Sequence, residues 1–400
     1  MNGLRLNPQL LRVPLYVAGK SAEQACQEIG LDQVIKLCSN ENPLGPSPMA
    51  LAALQDALAE AHRYPGIAEY ELRLKLAAHH GRGFTEGHLI VGNGATDVLR
   101  MVAQAFIFPS TSLSMPQCFA STSPGEAVMC KVAFPLYALL TTMYGGKPVC
   151  IAPRPDYRLD LPAMAAAITA DTRIVWLCSP NNPTGLILSP EETDAFMDHV
   201  PDHIVVVFDE AYWDFVTCNC VDSTKYVLEG RNAIVVRSFS KSGGLAGLRL
   251  GYGIARPEII EYLLHTVMPF NTGAPTIAAA AASLDDHAFH RHSRELVEQE
   301  RDLLYARLSE MGLTCLPSQG NFVLLLDPPL GMPVLVDALL HQGIIVRPMA
   351  GFGLPNALRV SIGLPEQNRR FLTALHAVLA KEAADELTEV ATTKDKVMAV

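Results

Sequence analysis

The residues best equipped for chemistry sit where apolar runs give way to turns. Ala233 to Val236 is apolar and leads into Ser238-Phe239-Ser240-Lys241-Ser242-Gly243-Gly244, with Arg249 a few residues on. A lysine at the end of a core strand is costly to bury. Burial lowers the pKa of its amine and makes it a nucleophile toward carbonyl carbon. Ser238, Ser240 and Arg249 add two hydroxyls and a fixed cation, a set suited to gripping a phosphate. Ser-Lys alone also fits a solvated surface turn; the flanking glycines and Arg249 weigh against that. In the run from Ile204 to Tyr212, five apolar residues lead to the carboxylate of Asp209, and a buried aspartate needs a partner. Gly92-Asn93-Gly94-Ala95-Thr96 joins the apolar Leu89-Ile90-Val91 to a helical pattern. Free N–H groups and a helix dipole there make an anion site from backbone, although a plain tight turn has the same composition. Arg359, on the short strand pattern Leu358 to Gly363, suits a carboxylate held through two parallel N–H bonds.

Positioning these groups calls for a sheet. Short apolar runs near residues 89, 127, 173, 204 and 233 read as buried strands, and function at their C-terminal ends is the habit of parallel sheets. The expected fold is α/β, with a mostly parallel sheet in a large domain and a smaller α/β domain beside it. Four hundred residues exceed what one core usually holds. The expected boundaries are an arm at 1–44 belonging to the small domain, a large domain at 45–270, a small domain at 275–381, and a frayed Glu/Thr/Lys-rich tail at 382–400. His290 to Glu310 reads as a long amphipathic helix linking the two. Residues 108–126 are rich in Ser, Thr and Pro and read as an exposed loop.

Composition excludes several roles. The net charge is −10 and no basic block or helix-turn-helix stretch occurs, which argues against a nucleic-acid surface. No apolar run approaches a membrane span, and no signal peptide is expected at the start. Nine cysteines lack metal-ligand spacing, so no metal is expected, and reduced thiols fit a cytoplasmic location.

Taken together, "NENPLGPSP" at Asn40–Pro48, the Gly94 turn, "SPNNPTG" at Ser179–Gly185, the Asp209–Tyr212 segment and the Ser238–Arg249 segment occur in the order seen in a known family. From about Tyr16 to residue 380 the chain resembles the fold-type I pyridoxal-phosphate (PLP) aminotransferases. Its terminal segments look most like the histidinol-phosphate members. The resemblance implies a seven-stranded-type sheet, PLP as cofactor, and small-molecule partners: an amino donor and a 2-oxo acid. It implies that Lys241 carries PLP, that Asp209 meets the ring nitrogen, and that Tyr212 and Asn182 donate to the phenolate oxygen. Gly94, Ala95, Thr96, Ser238, Ser240 and Arg249 would hold the phosphate, and Phe134 would stack on the ring, with Tyr137 three residues on. Tyr64 would cross to a second copy in a homodimer with shared sites, although taken alone it reads as a packing residue. Tyr16, Asn42, Asn321, Arg347 and Arg359 would meet the substrate; Arg347 also fits a plain surface arginine. The tight turn that family members have near residue 110 is replaced here by about a dozen extra residues. An aromatic amino-acid aminotransferase, a decarboxylase of a phosphorylated amino acid, and a non-catalytic regulatory domain on the same fold are the alternatives.

Overall fold

A computed structural model describes residues 8–15, 21–109 and 123–398 of the chain. Tyr16 and most of the Ser/Thr/Pro-rich segment lie outside the described residues. The flanks of that segment meet, since Gly125 N–H donates to the Phe108 carbonyl at 3.1 Å.

The arm supplies β1 (Ile35–Lys36). A seven-stranded sheet follows from β2 (Leu89–Gly92), β3 (Glu126–Cys130), β4 (Lys147–Ile151), β5 (Thr172–Cys178), β6 (Val205–Asp209), β7 (Ala233–Ser238) and β8 (Gly251–Ala255). Their spatial order is β2-β8-β7-β6-β5-β3-β4, and β8 alone runs against the rest. The central strands are apolar on both faces because helices cover both, the usual state of a parallel sheet. A four-stranded antiparallel sheet comes last: β9 (Thr314–Leu316), β10 (Phe322–Leu326), then β12 (Arg347–Pro348) and β13 (Ala357–Ser361), after the short β11 (Ile344–Ile345) that pairs with β1. The arm is thereby tied to the C-terminal part of the chain.

Two large apolar cores result. One surrounds the seven-stranded sheet. The other gathers Leu37 from the arm, Val297, Leu304 and Leu308 from the helix His287–Glu310, and residues of β10, β13 and the last helix. The change of core comes later than expected near residue 275. Ile277, Ala279, Ala280 and Leu284 pack in the first core, because the alanine-rich helix Ala274–Ser283 lies against Pro48–Ala57. The last helix also departs from expectation. It runs unbroken over Pro365–Met398 instead of ending near Lys381. Residues 382–398 contain no Gly or Pro and several strong helix formers, so nothing in the sequence stops it. Between β9 and β10 the chain leaves the sheet at Pro317–Asn321, where Gln319 N–H turns to the Gly185 carbonyl.

Candidate active site

Parallel pairing decides which side chains converge. In register, Cys178 lies opposite Asp209 and Asp209 opposite Val236, so β5 and β6 end level and β7 runs two residues further, to Ser238. Alternation then sends neighbours apart. Asp209 faces a cavity of about 300 Å³, while Glu210 turns away to a buried ion pair with Arg237 at 2.8 Å. Lys241, Ser238, Ser240, Arg249, Asp209, Tyr212, Asn182, Ala95, Thr96, Phe134, Arg347 and Arg359 all line that cavity.

At one end, Gly94 caps the helix Ala95–Phe106 with φ +85° and without a side-chain cap hydrogen bond. The first amides of that helix therefore point outward toward Ser238, Ser240 and Arg249. Arg249 is itself held by the Ser240 hydroxyl (3.4 Å) and the Ala246 carbonyl (3.0 Å). A Cβ on Gly94 would collide with the Arg249 guanidinium, and one on Gly251 with the backbone of Ala95. Glycine is thus required on both sides of the cradle.

Asp209 lies at the other end, 5% exposed. The Tyr137 hydroxyl donates to it at 2.7 Å and the Ala211 N–H at 3.2 Å. Burial raises its pKa, and these donors together with the Lys241 ammonium pull it back down. Tyr137 is clamped flat against Trp176, with centroids 5.2 Å apart. The Lys241 amine donates to the Ser39 carbonyl at 3.3 Å. Its pKa falls to about 8, first through burial and then through the cations Arg359 and Arg249; Glu41 and Asp209 oppose this. Burial pushes Tyr212 up to about 12, so its phenol keeps its proton at neutral pH.

Arg347 and Arg359 are cross-strand neighbours on β12 and β13. Arg359 is 5% exposed. Its guanidinium donates to Asn182 Oδ1 (2.5 Å) and to the Cys38 carbonyl (3.0 Å). The Asn182 oxygen is thereby occupied, which leaves its NH₂ to serve the cavity.

Other expected residues lie elsewhere. Asn42 does not reach the cavity. Its Nδ2 donates to the Ser242 carbonyl (2.9 Å) and Ser293 Oγ (2.8 Å), and its Oδ1 accepts from Leu44 N–H (3.1 Å). Asn321 also stays outside; it is fully buried and braces the arm through the Asn40 carbonyl at 3.0 Å. Tyr64 is 76% exposed, away from this cavity, and stacks on Phe270 at 4.2 Å. Sequence reasoning missed Cys38, Ser39, Glu41, Cys178 and Phe352, which also line the cavity. Cys178 alone carried a signal, as the last residue of an apolar run one strand away from Asp209.

PLP can be tested against these groups. It needs a phosphate cradle, an amine of lowered pKa, a carboxylate for its ring nitrogen and donors for its phenolate oxygen. The uncapped amides at Ala95, the amine of Lys241, the side chain of Asp209 and the paired Asn182 and Tyr212 meet each need at one cavity. The volume is at the small end of ligand pockets, suited to a flat ring.

Comparison with known proteins agrees. The family described as "Aminotransferase class I and II" matches residues 32–375. The chain belongs to the class I and II aminotransferases. The histidinol-phosphate aminotransferase 1 of Thiobacillus denitrificans is 42% identical over 377 residues, 93% of each chain. The histidinol-phosphate aminotransferase 1 of Idiomarina loihiensis is 40% identical over 94% of this chain and 98% of its own. In fold, this aminotransferase superposes on the histidinol-phosphate aminotransferase of Sinorhizobium meliloti, solved with pyridoxal-5'-phosphate. The TM-score is 0.81 at 24% identity, covering 94% of this chain and 98% of that one. No described helix is long and apolar enough to cross a membrane. Among the described residues no cluster of His, Cys, Asp and Glu could hold a metal.

Proposed function

We propose that this chain is a PLP-dependent histidinol-phosphate aminotransferase. It moves an amino group from histidinol phosphate to 2-oxoglutarate, giving imidazole-acetol phosphate and glutamate, a reaction of histidine biosynthesis. The observation that carries the reading is the meeting of Lys241 and Asp209 in one cavity with two arginines on its far wall. Relatives of that name, about 40% identical over nearly the whole chain, supply the substrate.

When bound, PLP supplies an aldehyde for the amine and a ring that accepts the electron pair of the broken Cα–H bond. The protein's own groups do the rest. Lys241 Nζ, its pKa lowered to about 8, takes a proton from the substrate carbon and gives it back at a second carbon. Asp209, held by Tyr137 and Ala211, favours a proton at the nitrogen facing it. The Asn182 amide and Tyr212 hydroxyl donate to a negative oxygen, and the Ala95 end of its helix, with Ser238, Ser240 and Arg249, holds a phosphate. Arg347 meets the phosphate of histidinol phosphate, and Arg359 the carboxylate of the acidic partner.

Incubation with 2-oxoglutarate and either histidinol phosphate or phenylalanine tests this. Glutamate should form at least ten times faster with histidinol phosphate. Faster turnover of phenylalanine would favour the aromatic alternative, and carbon dioxide release without glutamate would favour a decarboxylase. A cytoplasmic site of action rests on the eight described cysteines, all free thiols.

The active form is read as a homodimer, with Tyr64 of one copy entering the phosphate end of the other's cavity. Its support is the exposure of Tyr64, with Ile67, Met268 and Phe270 also exposed. Mixing Tyr64→Ala chains with Lys241→Ala chains should restore activity that neither has alone. No restoration on mixing would sink the shared site.

A further inference from the structure

Asn40 is 1% exposed and lies in the left-handed region at φ +53°, a conformation that few residues other than glycine and asparagine adopt readily. Every polar group on it is engaged. Its N–H donates to Ser361 Oγ (2.7 Å), and its carbonyl accepts from Asn321 Nδ2 (3.0 Å). Its Oδ1 accepts from Ser361 Oγ (2.8 Å), and its Nδ2 donates to Tyr212 Oη (3.0 Å). The bonds join the arm, the end of β13 and the turn after β6.

Proton accounting orients this network. A phenol has one proton. Because Asn40 donates to the Tyr212 oxygen, that proton is not spent on Asn40. No other acceptor among the described residues takes it, and Tyr212 lines the cavity. With the Asn40 amide turned over, Tyr212 would donate to Oδ1 and lose its proton to the arm. Ser361 forbids that. The Asn40 N–H already uses the Ser361 oxygen, so in the turned-over state the buried Ser361 proton would have no acceptor, a loss of about 1–3 kcal/mol. The pull of Asn40 on Tyr212, toward easier ionisation, has the sign of a donated bond.

We infer that Asn40, locked by Ser361, is a positioning residue that keeps the Tyr212 hydroxyl aimed into the cavity as a donor. The bonds that tie the arm and the end of β13 to the turn after β6 thus also orient the donor that would polarise a bound cofactor. The inference rests on the PLP reading above. It adds a role for a residue that does not itself line the cavity.

The test uses the full-length, PLP-loaded enzyme and follows the pH midpoint at which the cofactor's visible and near-ultraviolet bands interchange. A donor at the phenolate oxygen stabilises the form with more negative charge, so losing it raises the midpoint. Asn40→Gly removes the amide yet suits a positive φ, so the backbone is retained. The midpoint should rise by about one pH unit, the size of one weakened charged hydrogen bond. Ser361→Ala should raise it by less. In a Tyr212→Phe background Asn40→Gly should shift nothing further. A midpoint unmoved by Asn40→Gly, with only the melting temperature lowered, overturns the inference and leaves the cofactor assignment standing. An equal shift with and without the Tyr212 hydroxyl also overturns it. A wild-type protein with no lysine-dependent band overturns both.

Discussion

The two walls of the cavity were built by different rules. One wall is the row of strand ends β5, β6 and β7, which delivers Asn182, Asp209, Tyr212 and Lys241 within a few residues of an apolar run. The other is assembled from pieces far apart in the chain. Residues 38–42 of the arm lie between β13 and the lysine loop, and their bonds run to Ser242, Asn321, Arg359 and Ser361. On the first wall, local sequence determines where a side chain points, because a strand end in a parallel sheet has one exit. On the second, two residues apart in one motif meet different fates. Asn40 serves the cavity through Tyr212, and Asn42 serves only the scaffold. The motif match assigns Asn42 to the site and passes over Asn40; the hydrogen bonds reverse the two.

The contrast breaks first if the strand-end wall is dispensable. Lys241→Ala should cost at least about 10³-fold in turnover, since it removes both the nucleophile and the proton carrier. Borohydride trapping of PLP on the protein should disappear with it. Trapping that persists would place the nucleophile elsewhere. On the far wall, Arg359→Ala should cost about 100-fold in kcat/KM, roughly 2.7 kcal/mol, by deleting a buried charge and freeing the Asn182 oxygen to turn. Arg347→Ala should cost less and fall mainly on the KM of the phosphorylated donor. Equal losses for both substrates would remove that division of labour.

Legibility followed the same divide. Five of the seven strands of the large sheet were read from contiguous apolar runs, and Ala95, Thr96, Asp209 and Lys241, singled out from contiguous residues, line one cavity; β4 and β8 were not read. Tyr137 was noticed, but its bond to Asp209 links residues 72 apart and has no sequence signal. Ser361 looks like any strand residue, and Asn321 was assigned to substrate when it holds the arm. The core boundary near 275 failed for a related reason. Small alanines permit close helix packing, but they do not say against what.

The lowered pKa of Lys241 gives a pH test of the strand-end wall. The free amine is the reactive form, so its fraction falls tenfold for each pH unit below about 8. Reloading of apoenzyme with PLP should therefore speed up with pH and level off just above 8. An ordinary lysine would keep gaining rate to above 10. Levelling at the higher value would mean that burial and Arg359 do not act on this amine as the structure indicates.

The smallest effect on catalysis is expected at Asn42, which makes it the sharpest test of the far wall. Asn42→Ala would leave the Leu44 N–H, the Ser242 carbonyl and the Ser293 hydroxyl without their amide partner, at a cost of about 2–3 kcal/mol. The melting temperature should fall by a few degrees. KM for both substrates should stay within about twofold at a temperature where the variant is folded, because no atom of Asn42 lines the cavity. A tenfold rise in either KM with an unchanged melting temperature would reverse the assignment. It would place the Asn42 amide at the substrate, as the motif alone suggests, and imply that residues 38–44 rearrange when substrate binds.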